Sequence, residues 1–170
     1  MYDQKKRVGY CREFARRVLA SHGILRPPVP VDEIAEKEGF SVKYLKGESN
    51  NFSGLLHRDL KAIGINADHP EVRQRFSLAH ELGHYYLEHP QEEESIGFSD
   101  EQQEWRICEA EANEFAGELL VPRDLLKGEL KKLREQAGLE EKVQALIVIF
   151  SVSREVLVIQ LTKHGLLMKI

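Results

Sequence analysis

Residues 80–84 read His-Glu-Leu-Gly-His, two imidazoles four positions apart with a carboxylate beside the first. In a helix, positions i and i+4 stand one turn apart on one face, with about 5–6 Å between Cβ atoms. Two ring nitrogens can then converge on one cation at about 2.0–2.1 Å, the distance zinc takes. Glu81 is turned about 100° around the axis from His80. It can therefore miss the ion and hold a water, whose pKa zinc lowers toward about 7. A carboxylate so placed can take a proton as general base and later hand it to a leaving amine. The spacing thus points to metal-dependent hydrolysis of an amide bond. The flanks Phe76, Leu78, Ala79, Leu82 and Leu87 are apolar, which implies a largely buried helix. A glutamate and two imidazoles are costly there without a partner, and a metal is such a partner.

A zinc site that does chemistry needs three protein ligands and an open position. If the helix ran on, His89 would lie nine residues and about 180° from His80. We therefore expect His89 to be a cation or cap at the helix C-terminus rather than a ligand. The extended pattern H-E-x-x-H-x-x-G-x-x-H is absent, because Leu87 and Pro90 stand in its Gly and His places. The next long helix, at about 102–120, carries an apolar stripe of Ala112, Phe115, Ala116, Leu119 and Leu120. On a helical wheel Glu109 falls about 60° from the stripe centre. Glu111 falls about 100° off on the other side, and Glu114 and Glu118 point outward. Small Ala112 and Ala116 would let the two helices approach closely. Glu109 is the expected third ligand, with Glu111 in reserve. Asn113, one turn beyond Glu109, is either a partner for a ligand imidazole's second nitrogen or an ordinary exposed polar residue.

Several elements must position these groups. Helical spacing of Val8, Cys11, Ala15, Val18 and Leu19 predicts a helix over 4–22 that stops at Gly23. "RPPVP" at 26–30 is a stiff connector to a short helix ending at Gly39. Residues 40–45 read as a strand with Phe40, Val42 and Tyr44 inward, and 52–66 as a hairpin. The metal helix starts at Pro70 and is stopped by Pro90. An acidic loop with Glu92, Glu93 and Glu94 follows, then helices at about 102–120 and 123–136. The tail, about 140–170, reads as two helices around "SVS" and a short terminal strand. Strands early and helices late make an α+β fold, with residues 1–170 expected as one domain that the tail closes.

The 170 residues, 42% of them apolar, suffice to bury a core without staples. Cys11 and Cys108 do not form a CxxC pair and are expected as reduced, buried thiols. The basic start lacks an apolar run and the longest apolar run is "ALIVIF", so no leader or bilayer span is expected and we place the chain in the cytoplasm. A net charge of -4 disfavours generic nucleic-acid binding. The tail imitates a helix-turn-helix, with Ser153 capping a would-be reading helix. Residues 156–161, "VLVIQL", are apolar nearly all round, so packing is expected rather than DNA contact. The acidic run is a solvated loop or a contact for a basic partner.

"RFSLAHELGHYYLEH" followed by "EAEANEFAGELLVP" resembles the ImmA/IrrE family of zinc metallopeptidases. Upstream "FSGLLHRDLKAIGIN" and downstream "FSVSREVLVIQLTKHGLL" are similar to its strand pair and closing helices, so the resemblance covers about 28–167. It implies a zincin-like fold and a zinc ion on His80, His84 and Glu109, with Glu81 catalytic. It further implies an anti-repressor-type metalloendopeptidase that cleaves a helix-turn-helix repressor encoded nearby. The rival reading is a non-proteolytic, toxin-like or regulatory partner of a repressor, with zinc serving structure. In a zincin an exposed strand can add a substrate segment by main-chain pairing. "FSGLLH" at 52–57 is the candidate edge, where Gly54 marks either close backbone approach or a bend. His57 could assist an oxyanion, and Tyr85, Tyr86 and His164 are equally open for that role.

Overall fold

The computed structural model describes residues 7–47, 52–90, 99–133 and 137–167. Helix α1 (Val8–Ser21) and short α2 (Val31–Lys37) lead into strand β1 (Ser41–Leu45). Strands β2 (Gly54–His57) and β3 (Ala62–Asn66) form the expected hairpin. Helices α3 (Glu71–Tyr86), α4 (Ser99–Leu120), α5 (Arg123–Lys132), α6 (Leu139–Phe150) and α7 (Arg154–Lys163) follow. The fold is α+β. The sheet order is β1-β3-β2, with β1 parallel and β2 antiparallel to β3.

That order leaves β2 at an edge. The Asn66 N–H donates to the Ser53 carbonyl at 3.1 Å, which fixes the phase of the antiparallel ladder. Ser53, Leu55 and His57 turn their backbone groups toward β3, and Gly54 and Leu56 turn theirs away from it.

The core gathers Ile63 and Ile65 of β3, Leu78 and Leu82 of α3, and Phe115 and Leu119 of α4, all fully buried. Gly83 meets Ala112, where a Cβ would lie 3.1 Å from the Ala112 backbone. Small residues on both sides thus let α3 and α4 come close. Cys11 and Cys108 are buried and not joined in a disulfide, as expected.

Four expectations need correction or lie elsewhere. Tyr44 is half exposed and its hydroxyl reaches Asp32, because α2 covers only part of the sheet. Helix α7 is buried on one face, through Leu157 and Leu161, while Ile159 is exposed. Ser153 does cap it, its Oγ accepting from the Val156 N–H at 3.2 Å. The acidic run 92–94 and the last residues of the tail, where a strand was expected, fall outside the described residues. Among the described residues no single helix is long and apolar enough to cross a membrane; α6 and α7 are apolar together but bent by 106°.

Candidate metal centre

Helix α3 presents His80 and His84 on the face toward α4, and α4 returns Glu109. The two Nε2 atoms are 2.9 Å apart. Glu109 places Oε1 3.0 Å from His84 Nε2 and Oε2 3.4 Å from His80 Nε2. An ion with tetrahedral legs of about 2.0–2.1 Å needs donors roughly 3.3–3.4 Å apart, so the triangle fits within a few tenths of an ångström. At this distance at most one of the two Nε2 atoms carries a proton, and a cation could take the place of that proton between them. These three are the metal-capable cluster among the described residues.

The electrostatics fit as well. Burial pushes the Glu109 carboxyl up, but hydrogen bonds with His80 and His84 outweigh it and hold the group far below the usual carboxylate range. Burial pushes His84 down, and Glu109 only partly offsets it. Burial pushes His80 down too, but there the bond to Glu109 wins and the ring ends raised. Glu109 is thus a charged oxygen between imidazoles, with 38% of its side chain exposed to the cleft.

The surrounding contacts settle other expectations. Asn113 Oδ1 lies 3.0 Å from His80 Nδ1, so Asn113 does orient a candidate ligand ring. Glu111 does not join the triangle. It faces away from the triangle, where the Arg7 N–H donates at 2.7 Å, and Arg7 Nη2 at 2.8 Å. His89 departs most from the helical wheel. It is 1% exposed and its ring is not a C-terminal cation, but its backbone N–H does cap the helix, donating to the His84 carbonyl at 3.1 Å. Helix α3 ends at Tyr86, Glu88 turns left-handed at φ 55°, and the chain folds back. His89 Nδ1 then sits 3.1 Å from His84 Nδ1, and His89 Nε2 3.2 Å from Glu111 Oε2. Burial pushes His89 down to about 4, so its ring is neutral at ordinary pH.

Glu114 and Glu118 also differ from the outward placement. Both are buried, Glu114 between Arg12 and Lys163 at 2.6 Å each, Glu118 between Arg16 at 2.8 Å and His164 at 3.1 Å. His164 therefore lies behind α4, and the Tyr85 hydroxyl accepts from Lys61 at 3.0 Å. Tyr86 packs between Phe14 and Phe115. None of the three lines the cleft, whereas His57 does.

That cleft, about 800 Å³, runs between β2, α3 and α4 and holds the triangle. Glu81 is 9% exposed at its floor. A Cβ on Gly54 would lie 2.6 Å from Glu81 Oε1, so Gly54 marks close approach rather than a bend. Phe76 and Trp105 supply apolar wall, and Trp105 stacks on the His84 ring with centroids 5.4 Å apart and planes at 15°.

A family model described as Peptidase_M78, the IrrE N-terminal-like domain, matches residues 35–162. The chain belongs to the ImmA/IrrE family. No curated protein matches the sequence significantly. A solved structure described as a Mycobacterium tuberculosis transcriptional regulator is similar, with TM-score 0.63 and 16% identity. The match covers 86% of this chain and 45% of that one, so this chain spans less than half of it and the likeness is one of fold. In this ImmA/IrrE member, Trp105, Arg58 and Gly83 also shape the site and drew no notice as sequence. Arg58 donates to the carbonyls of His84 and His89, tying the hairpin to the end of the metal helix. The Gly inside His-Glu-Leu-Gly-His was a further hint of tight helix contact, beside Ala112 and Ala116.

Proposed function

We propose that this chain is a zinc-dependent metalloendopeptidase whose substrate is a helix-turn-helix repressor. The observation that carries the peptidase reading is the three-donor triangle standing open to a cleft, beside a buried carboxylate and an edge strand. The His-His-Glu donor set favours zinc over harder cations. A zinc ion held by His80, His84 and Glu109 would supply Lewis-acid charge and make a water acidic at neutral pH.

The chain's own residues do the rest. Gly54 and Leu56 offer outward N–H and C=O groups to which an extended substrate can add as a further strand. Glu81, against that strand, takes a proton from the attacking water as its oxygen bonds to the scissile carbonyl carbon. As the C–N bond breaks, Glu81 returns that proton to the departing amine nitrogen. Asn113 holds His80 in register, and Trp105 and Phe76 keep bulk water from one side of the cleft.

Family resemblance alone supports a repressor as substrate. A closed, four-ligand structural zinc would suit the non-proteolytic rival, and the described cluster has three donors and an open side. The test incubates the zinc-loaded chain with the repressor encoded beside it. Discrete fragments are expected from the wild type and none from Glu81→Gln, which keeps its zinc. Undiminished cleavage by Glu81→Gln would exclude the mechanism, and a stable complex without fragments would exclude the peptidase.

A further inference from the structure

Along the cleft, β2 and α3 run side by side in the same direction. Arg73 Nη2 donates to Ser53 Oγ at 3.3 Å, just ahead of the strand, and Arg58, just past it, donates to the His84 carbonyl. The span 53–58 in extended chain and the span 73–84 in helix are both about 16–17 Å, so the two elements keep step. On the helix Arg73 lies within about 20° of His80 and of His84, so the three share one stripe. Arg73 thus stands at one end of the cleft, with His84 toward the other.

This arrangement leaves the Arg73 charge unmatched. Of the other charged side chains lining the cleft, Glu109 belongs to the triangle and Glu81 to the proton transfer, and Arg58 is tied to the His84 and His89 carbonyls. Arg73 is exposed, and among the described residues it bonds to a neutral hydroxyl and meets no carboxylate. Its neighbours one turn away on α3 are His69, Pro70, Phe76 and Ser77, none of them acidic. Asp68 accepts from the Gly47 N–H, and Glu71 lines a separate pocket with Asp32 and Arg75. A guanidinium offers five N–H donors in a planar fork that matches a carboxylate. A strand laid along β2 would carry its side chains past that fork.

We propose that Arg73 is a specificity-determining residue. It selects substrates with a carboxylate, from Asp, Glu or the substrate's own C-terminus, close to the scissile bond and on one side of it. Arg73 precedes Glu81 by about 12 Å along the helix axis, and extended chain advances about 3.3 Å per residue, so the separation is about three residues or fewer. Ser53, which holds Arg73, is next to Gly54, which abuts Glu81, in keeping with that limit. The proposal rests on the peptidase reading of the cleft and adds a substrate class to it, an extended acidic segment. Arg73 touches substrate away from the reacting atoms, so it acts on selection and not on proton transfer.

The test gives the zinc-loaded full chain a pool of random peptides, some with free and some with amidated C-termini, and reads the cuts by mass spectrometry. Asp and Glu should be enriched within about three residues of the cut, on one side only. Arg73→Glu should replace that preference with one for Lys and Arg. Arg17→Glu, on α1 and outside the cleft, makes the same change of charge and should keep the acid preference. For one acidic peptide from the pool, Arg73→Ala should lose about tenfold in kcat/KM. Replacing the peptide's acid by its amide should cost wild type as much and cost Arg73→Ala nothing further. Enrichment confined to free C-termini would assign the carboxylate to the chain end. No acid preference, an equal one on both sides, or one that survives Arg73→Glu would overturn the proposal. A wild type that cuts no peptide would instead remove the peptidase reading. Retention of the same pool on the immobilised chain, with acids enriched by wild type and bases by Arg73→Glu, would still decide the subsite.

Discussion

Helix α4 carries glutamates on two faces, and they have opposite fates. On the front, Glu109 meets only imidazoles and keeps 38% of its side chain exposed. On the back, Glu111, Glu114 and Glu118 are sealed, each against an arginine from before or within α1. A carboxylate clasped by a guanidinium has its charge and lone pairs already used. A carboxylate set among imidazole nitrogens remains available to a cation. The difference lies in which neighbours the fold supplies, since the side chains are identical.

The largest effect should come from exchanging these roles. Glu109→Ala should drop zinc stoichiometry from near one to near zero and abolish cleavage, whereas Glu111→Ala should still fill at saturating zinc. Metal analysis showing the reverse would break the contrast. Next, Gly54→Ala pushes a methyl against Glu81 Oε1. A shift of about 1 Å there should cost on the order of 100-fold in kcat with zinc content unchanged. Unaltered kcat would mean that Glu81 has room to spare.

The back face is probed by stability. Arg16→Ala leaves the buried Glu118 carboxylate with only His164 and the Arg123 backbone N–H and should cost about 2–3 kcal/mol in urea denaturation. Glu13→Ala, which removes the exposed pair with Arg17, should stay within about 0.5 kcal/mol. Equal costs would erase the distinction between spent and solvated charge. The smallest effect concerns acid. Burial raises Glu114 and Glu118, but their cationic partners outweigh it and hold both folded values below the ordinary 4.5. Their contribution is therefore present above about pH 4.5 and fades as pH falls through the folded values. Glu118→Gln should flatten the stability profile in that acid range, and a profile unchanged by it would refute the linkage.

The metal helix, the hairpin and Glu109 were legible because each depends on one element's own periodicity. The wheel of α4 set Glu109 ahead of Glu111 by its angle to Ala112 and Ala116, and the structure brings Glu109 beside the two histidines. It failed for Glu114 and Glu118 because a wheel scores a glutamate as outward, and Arg12 and Arg16 arrive from 102 positions away. His89 was misplaced because the helix was extended past Tyr86. The left-handed Glu88 that reverses the chain is not a glycine, so nothing in its residue type announced the turn.

Arg7, which immediately precedes α1, grips Glu111 from 104 positions upstream. The head of α1 is therefore linked, through Glu111 and His89, to the candidate metal triangle. A protein that tugged this end loose would slacken His84 without ever entering the groove. By reciprocity, loading the ion should steady that end, slowing deuterium uptake across the first turn of α1.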